Sequence, residues 1–170
     1  MPRSMLSRAA TMTAGIALGL GLGLAPAQAA LTPIPVPNPT VDAARDLDEF
    51  EVQVMSQINA VRAAAGLGEI REFDSCVDRM AEGWAERIAA TGVFAHRNQR
   101  QVIRRCKQSW AGENLVRGEL LTPLSTVQAW MASPSHREIL LKRRATRAGV
   151  AIAVDAQGRY VGVLNVSDAP

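Results

Sequence analysis

The chain has 170 residues, 48% of them hydrophobic, and a formal net charge of +3. Part of that charge belongs to a removable segment: Arg3 and Arg8 precede an uncharged apolar run, Ala9 to Ala25, that ends in Ala27-Gln28-Ala29, so residues 1–29 read as a signal peptide with an A-x-A cleavage site. The run is short for a membrane span and is studded with Gly15, Gly19, Gly21 and Gly23, so no transmembrane anchor is expected after cleavage, and the remaining 140 or so residues, with a charge of +1, form one domain whose basicity says little about partners.

Residues 30–45 form a proline-rich spacer, in which Pro33, Pro35, Pro37 and Pro39 forbid helix and favour an extended chain. The domain proper, 46–170, begins with an amphipathic helix from Asp46 to Ala65, where Phe50, Val54, Ile58, Val61 and Ala65 recur at three and four. Asn59 and Arg62 share one of its faces. Asp74 or Ser75 caps a second helix with a stripe of Val77, Met80, Ala81, Trp84, Ala85 and Ile88, ended by Thr91-Gly92. Trp84, in mid-stripe, is expected to be buried.

Cys76 starts that helix, and Cys106 lies in a basic loop beyond His96. In an exported chain two cysteines are most simply a disulfide, two free thiols or an intermolecular bond being the alternatives, and no C-x-x-C spacing supports metal ligation by the pair. Next comes a Gly112-Glu113-Asn114 turn, then a third helix over Pro123 to Met131. Ser133 precedes a proline and reads as N-cap of a fourth, with Pro134 at N1, running to about Lys142. His136 falls at N3, where the helix dipole disfavours a charged imidazolium and leaves the ring neutral. Val150, Ile152 and Val154 alternate with smaller residues, Asp155 to Gly158 turn, and Tyr160 to Val166 run back as a β-hairpin. Helices first and an antiparallel hairpin last give an α+β fold, with helices packed on a small antiparallel sheet.

Two basic clusters stand out: Arg97, Arg100, Arg104, Arg105 and Lys107, without a carboxylate among them, and Arg137, Lys142, Arg143, Arg144 and Arg147, with only Glu138. They suit anionic envelope polymers or lipid head groups, although solvated surface arginines are the simpler reading. No interleaved aromatics support base stacking, so no specific nucleic acid is expected.

Five motifs occur in order: Asn59-x-x-Arg62, Gly92-Val93-Phe94-Ala95-His96, Gly112-Glu113-Asn114-Leu115, Trp130-Met131-x-Ser133-Pro134-x-His136-Arg137 with Leu140-Leu141, and Gly149-Val150-Ala151-Ile152-Ala153. In this the chain resembles the bacterial branch of the CAP superfamily, the group of cysteine-rich secretory proteins, antigen five and plant pathogenesis-related proteins, over roughly Phe50 to Val166. The resemblance implies an α-β-α sandwich, a secreted, extracellular location, and a cleft at His96, Glu113 and His136, with Asn114 and Ser133 beside them. Where eukaryotic members carry a second glutamate soon after the tryptophan, this chain has Ala132-Ser133, so the acidic pair is incomplete.

Two histidines and a carboxylate are zinc-type ligands that leave an open fourth position, so His96, Glu113 and His136 are expected to be able to take zinc. A serine hydrolase built on Ser133 or Ser135 beside His136 is disfavoured, because no G-x-S-x-G elbow is present and Ser133 serves as a cap. The resulting expectation is a non-enzymatic binding module for a small-molecule, lipid or cell-envelope ligand, with a metal-assisted or acid-base hydrolase in the same cleft as the alternative.

Overall fold

The computed structural model describes residues 43–169. The expected signal peptide and most of the proline spacer lie outside the described residues.

The first helix, α1, spans Ala43–Ala64, three residues earlier than expected. β1, Glu72–Phe73, leads into α2, Ser75–Thr91. Of the two candidate caps it is Asp74 whose carboxylate accepts the amides of Cys76 and Val77, and Gly92, with φ of 71°, closes the helix in the left-handed region that glycine adopts without strain. The basic segment expected as a loop is in fact helical, as α3, Arg100–Cys106. A Cys76–Cys106 disulfide, with Cα atoms 5.5 Å apart, ties its end to the start of α2. Only Val102 of α3 is buried, so sequence periodicity gives this helix no apolar stripe.

The expected turn at Gly112-Glu113-Asn114 is instead the middle of a strand, β2, Ala111–Gly118. Then follow α4, Pro123–Ala132, and α5, Pro134–Leu140. Ser133 is the N-cap residue and Pro134 is N1, but the Ser133 hydroxyl makes no capping bond and lies 3.3 Å from Ser135 Oγ. The hairpin is β3, Arg147–Val154, and β4, Tyr160–Ser167, turned by Gly158 at φ of 75°.

The sheet order is β1-β3-β4-β2, antiparallel except for the short parallel β1–β3 pair. Successive strand residues face opposite layers. Val150, Leu164, Val166 and Val116 pack against Val54 and Ile58 of α1 and Val127 and Trp130 of α4. Ala151, Val161, Val163 and Leu115 pack against Ala81, Ala85 and Ile88 of α2. The small residues alternating along β3 are what let α2 approach: a Cβ on Gly149 would lie 2.3 Å from the Asp78 backbone. These layers are an α-β-α sandwich, and they bury Trp130 more completely than Trp84. Trp84 is only partly buried, because its Nε1 donates to the Ala95 carbonyl at 3.0 Å and two guanidinium groups, those of Arg87 and Arg97, lie over its ring.

Removing the disulfide by Cys76→Ser with Cys106→Ser should cost about 3–4 kcal/mol, since the bond closes a loop of 30 residues. Urea unfolding of the double variant measures this, and a loss below about 1 kcal/mol would show that the tie does little to the unfolded chain.

Beyond Ala148, among the described residues, no strand pairs with the outer side of β3. Carboxylates take that place: Ile152 N donates to Glu51 Oε1 at 2.8 Å, and Val150 N donates to Asp78. Burial, helped by the charges of neighbouring acids, raises Glu51 to about 7 and Asp78 to about 6. A carboxyl that holds its proton more tightly in the folded state stabilises the fold at low pH, and that stability is lost as pH rises from 4.5 through about 7. Glu51→Gln keeps an acceptor for Ile152 and carries no charge. It is expected to raise Tm at pH 8 and leave it near wild type at pH 5; thermal melts at the two pH values would show an equal offset if Glu51 did not titrate between them.

Candidate functional site

β2 is an edge strand of the sheet, and its alternation builds a cleft from both sides. Gly112 and Asn114 face α5: a Cβ on Gly112 would sit 3.1 Å from Ile139 and from Trp110, and Asn114 Nδ2 donates to the His136 carbonyl at 3.1 Å. Glu113 faces the other way, toward the connection between α2 and α3. Its Oε1 accepts the Arg97 backbone amide at 2.9 Å and pairs with His96 Nδ1 at 2.9 Å. Its Oε2 is buried with no partner, and the residue is 3% exposed.

His136, at N3 of α5, brings its ring to 6.1 Å from that of His96, centroid to centroid, with the planes at 54°. The three residues singled out in the sequence therefore converge. The cleft they share has a volume of about 480 Å³, and its lining includes the apolar Trp110 and Ile139 and the polar Arg97, Ser135, Glu138 and Lys142. Asn114 is fully buried and holds α5 through the His136 carbonyl without lining the cleft. Ser133 does not line it either; Ser135, two positions further into the helix, does.

Burial raises the Glu113 carboxyl above its ordinary range, against the bonds from Arg97 N and His96 that favour its ionised form. His136 is lowered, first by burial and then by the charge of His96, so the neutral ring expected from the helix dipole arises chiefly from desolvation. When Glu113 is ionised, it can only accept, so His96 Nδ1 carries the hydrogen of that pair. The cleft thus offers a hydrogen-bonded pair of Glu113 and His96, the His136 imidazole that burial biases to its neutral form, and a buried oxygen without a donor. Such a set can accept and donate protons to a bound polar group, or ligate a cation.

Among the described residues no group of three or more His, Cys, Asp or Glu side chains is already arranged to hold a metal ion. Glu113 Oε1 is engaged by His96 Nδ1 at 2.9 Å. The donor set that fits a metal is two imidazoles, with Glu113 behind His96 as the carboxylate that orients a ligating ring.

Two residues of the site escape sequence reasoning. Arg97 reads there as one of several loop arginines, yet its backbone amide fixes Glu113 and its side chain lies over Trp84. Glu138 brings a second carboxylate to the cleft wall from α5, not from the Ala132-Ser133 position, and pairs with Lys142 at 3.2 Å. Its place two residues beyond His136 is the signal that could have found it.

Residues 55–166 match the model of the cysteine-rich secretory protein family, CAP. The fold is similar to that of an outer surface protein of Borrelia burgdorferi, with TM-score 0.67 and 20% identity over 76% of this chain and 97% of that one. It is also similar to an extracellular protein containing an SCP domain from Bacillus anthracis, with TM-score 0.67 and 19% identity over 77% of this chain and 45% of that one. A cysteine-rich secretory protein of Staphylococcus aureus gives TM-score 0.59 and 18% identity over 72% of this chain and 40% of that one. The chain thus spans less than half the length of the latter two. No curated protein sequence matches it. With two thirds of its length inside one family model, the five motifs in order and the α-β-α layers around the His96–Glu113–His136 cleft, the chain belongs to the cysteine-rich secretory protein (CAP) family.

Proposed function

We propose that this chain is an extracellular binding module that holds a small ligand, lipid or envelope fragment in the His96–Glu113–His136 cleft. The observation that carries the reading is the buried Glu113 Oε2, which has no partner beside a cleft of about 480 Å³ lined by both apolar and polar side chains. An unmet buried oxygen costs about 1–3 kcal/mol, which a donor on a bound ligand would recover. The apolar lining, from Trp110 and Ile139, suits a hydrocarbon or ring. Relatives of the same fold that are described as outer surface, extracellular or secretory proteins support the location. Among the described residues no helix is long and apolar enough to cross a membrane.

Native mass spectrometry of protein from culture supernatant is the test, because it reports bound ligand and metal together. Ile139→Trp, which fills the cleft from the α5 side, is expected to abolish co-purified ligand; unchanged occupancy would place the ligand elsewhere. Turnover of a supplied ester or amide that vanishes in Glu113→Ala would favour the hydrolytic alternative instead.

A second reading is favoured by the paired imidazoles: a divalent transition metal, zinc by ligand chemistry, held by His96 Nε2 and His136 with Glu113 orienting the His96 ring. Bound there, zinc would supply a Lewis-acidic position for a ligand oxygen. Because protons compete with a metal for imidazole nitrogen, affinity should fall in acid, and burial, which holds His136 below the ordinary imidazole range, moves that loss to lower pH for its ring. Calorimetry with zinc on His96→Ala and His136→Ala checks it, and unchanged affinity in both variants would exclude this site.

A further inference from the structure

On the far side of Arg97 from the cleft lies a second concavity, of about 360 Å³, lined by Met80, Arg97, Gln101, Arg104 and Arg105. Its walls come from α2, from α3 and, at Arg97, from the segment between them, and the Cys76–Cys106 bond ties the two helices together. The Arg97 guanidinium is laid over the Trp84 ring, 4.8 Å from its centroid. Trp84 is itself anchored through Nε1 to the Ala95 carbonyl. In that position Arg97 Nε and Nη1 are buried and donate to nothing.

The surroundings make this unusual. Among the described residues no carboxylate pairs with the side chain of Arg97, Arg104 or Arg105. Glu113 engages the backbone amide of Arg97 through Oε1, not the guanidinium. Arg105 reaches only the Met80 sulfur, at 3.9 Å. The Arg97 guanidinium is pushed below its usual range by burial, opposed by Glu113 and reinforced by the charges of Arg105 and Arg87. Unmet buried donors and three like charges around one pocket are both relieved by an oxyanion.

We propose that this pocket binds a phosphate-bearing anion, with Arg97 as its inner donor and Arg104 and Arg105 as its rim. Tetrahedral phosphate oxygens accept from several directions at once, which suits planar guanidinium forks converging from two elements better than a single carboxylate would. Nucleic acid is disfavoured as the source, because the Trp84 face that could stack a base already carries the Arg87 and Arg97 guanidiniums, 5.5 and 4.8 Å from its centroid. The inference does not depend on the cleft reading, since Arg97 is the only residue the two concavities share.

Calorimetric titration of the intact protein with sodium pyrophosphate at low ionic strength tests it. One saturable site is expected. Arg104→Gln with Arg105→Gln, both on the exposed rim where folding is unaffected, should weaken binding about tenfold or more. Arg97→Lys, which keeps the charge and loses the fork, should weaken it comparably. Arg137→Gln with Arg143→Gln removes the same charge from α5 and the connection after it and should leave affinity within about twofold, beyond which general charge would be responsible. Co-sedimentation with phosphatidylcholine vesicles containing phosphatidylglycerol then separates the sources. Vesicle binding lost in the rim variant assigns a lipid head group, and pyrophosphate binding without vesicle binding assigns a soluble phosphate ester. Absence of a saturable site, or an equal loss in the Arg137→Gln, Arg143→Gln variant, overturns the proposal.

Discussion

Arg62→Ala is expected to destabilise this domain more than any other single change. Arg62 is 1% exposed, and its guanidinium donates to four main-chain carbonyls: Gly68 at 3.0 Å, Leu140 at 2.8 Å, Lys142 at 3.0 Å and Ala145 at 3.0 Å. These acceptors belong to the turn after α1 and to the crossing from α5 to β3, so one side chain fixes the route of two connections. Each stranded carbonyl costs about 1–3 kcal/mol, against a total stability of about 5–15 kcal/mol. Arg62→Lys should fail almost as badly, since a single ammonium cannot reach four carbonyls in a fork. Urea denaturation followed by circular dichroism is the measurement, and a loss under about 1 kcal/mol in the alanine variant would mean that water replaces the guanidinium at little cost.

Trp130→Ala comes next, with an expected loss of about 3–5 kcal/mol. Its indole is 1% exposed between α1, α5 and the sheet, and Nε1 donates to the Leu115 carbonyl of β2 at 3.0 Å. Truncation would open a cavity and strand an acceptor beside the cleft strand. Trp130→Phe keeps most of the packing and should lose only about 1–2 kcal/mol, most of it the hydrogen bond. Equal losses in the two variants would mean that packing contributes nothing beyond that bond.

These two residues also show which parts of the molecule could be read from its sequence. α2 was legible because an apolar stripe, an Asp74 cap and a Gly92 stop agree with one another, and α5 because Ser133-Pro134 marks a start whatever follows. The hairpin was legible from its period and its turn. β2 was not: Gly112, Glu113 and Asn114 look like turn residues, and each tolerates a buried strand only through a contact made far along the chain, Gly112 by the nearness of Ile139, Glu113 through Arg97 N and Asn114 through the His136 carbonyl. α3 was hidden because one buried residue and a disulfide hold it, not a stripe. Asn59 and Arg62 were visible as a pair on one face, but their task, fixing Ile70 and the α5–β3 crossing, depends on carbonyls that no side-chain pattern reveals. The convergence of His96, Glu113 and His136 was legible through the family motifs alone, while the role of Arg97 required the position of Trp84.

The carboxylates along the outer side of β3 bear on how copies of this molecule meet. A bare strand edge is a template for strand addition, and addition by identical chains is how fibrils begin. An incoming strand would have to displace Glu51 from Ile152 and Asp78 from Val150, setting its own carbonyl oxygens against two acids, while Val52 and Val154, both substantially exposed, would otherwise welcome it. Where a neutral edge would recruit its neighbours, this one repels them in the ionised state, so the same protonation that steadies the isolated fold in mild acid also lowers its guard against self-assembly.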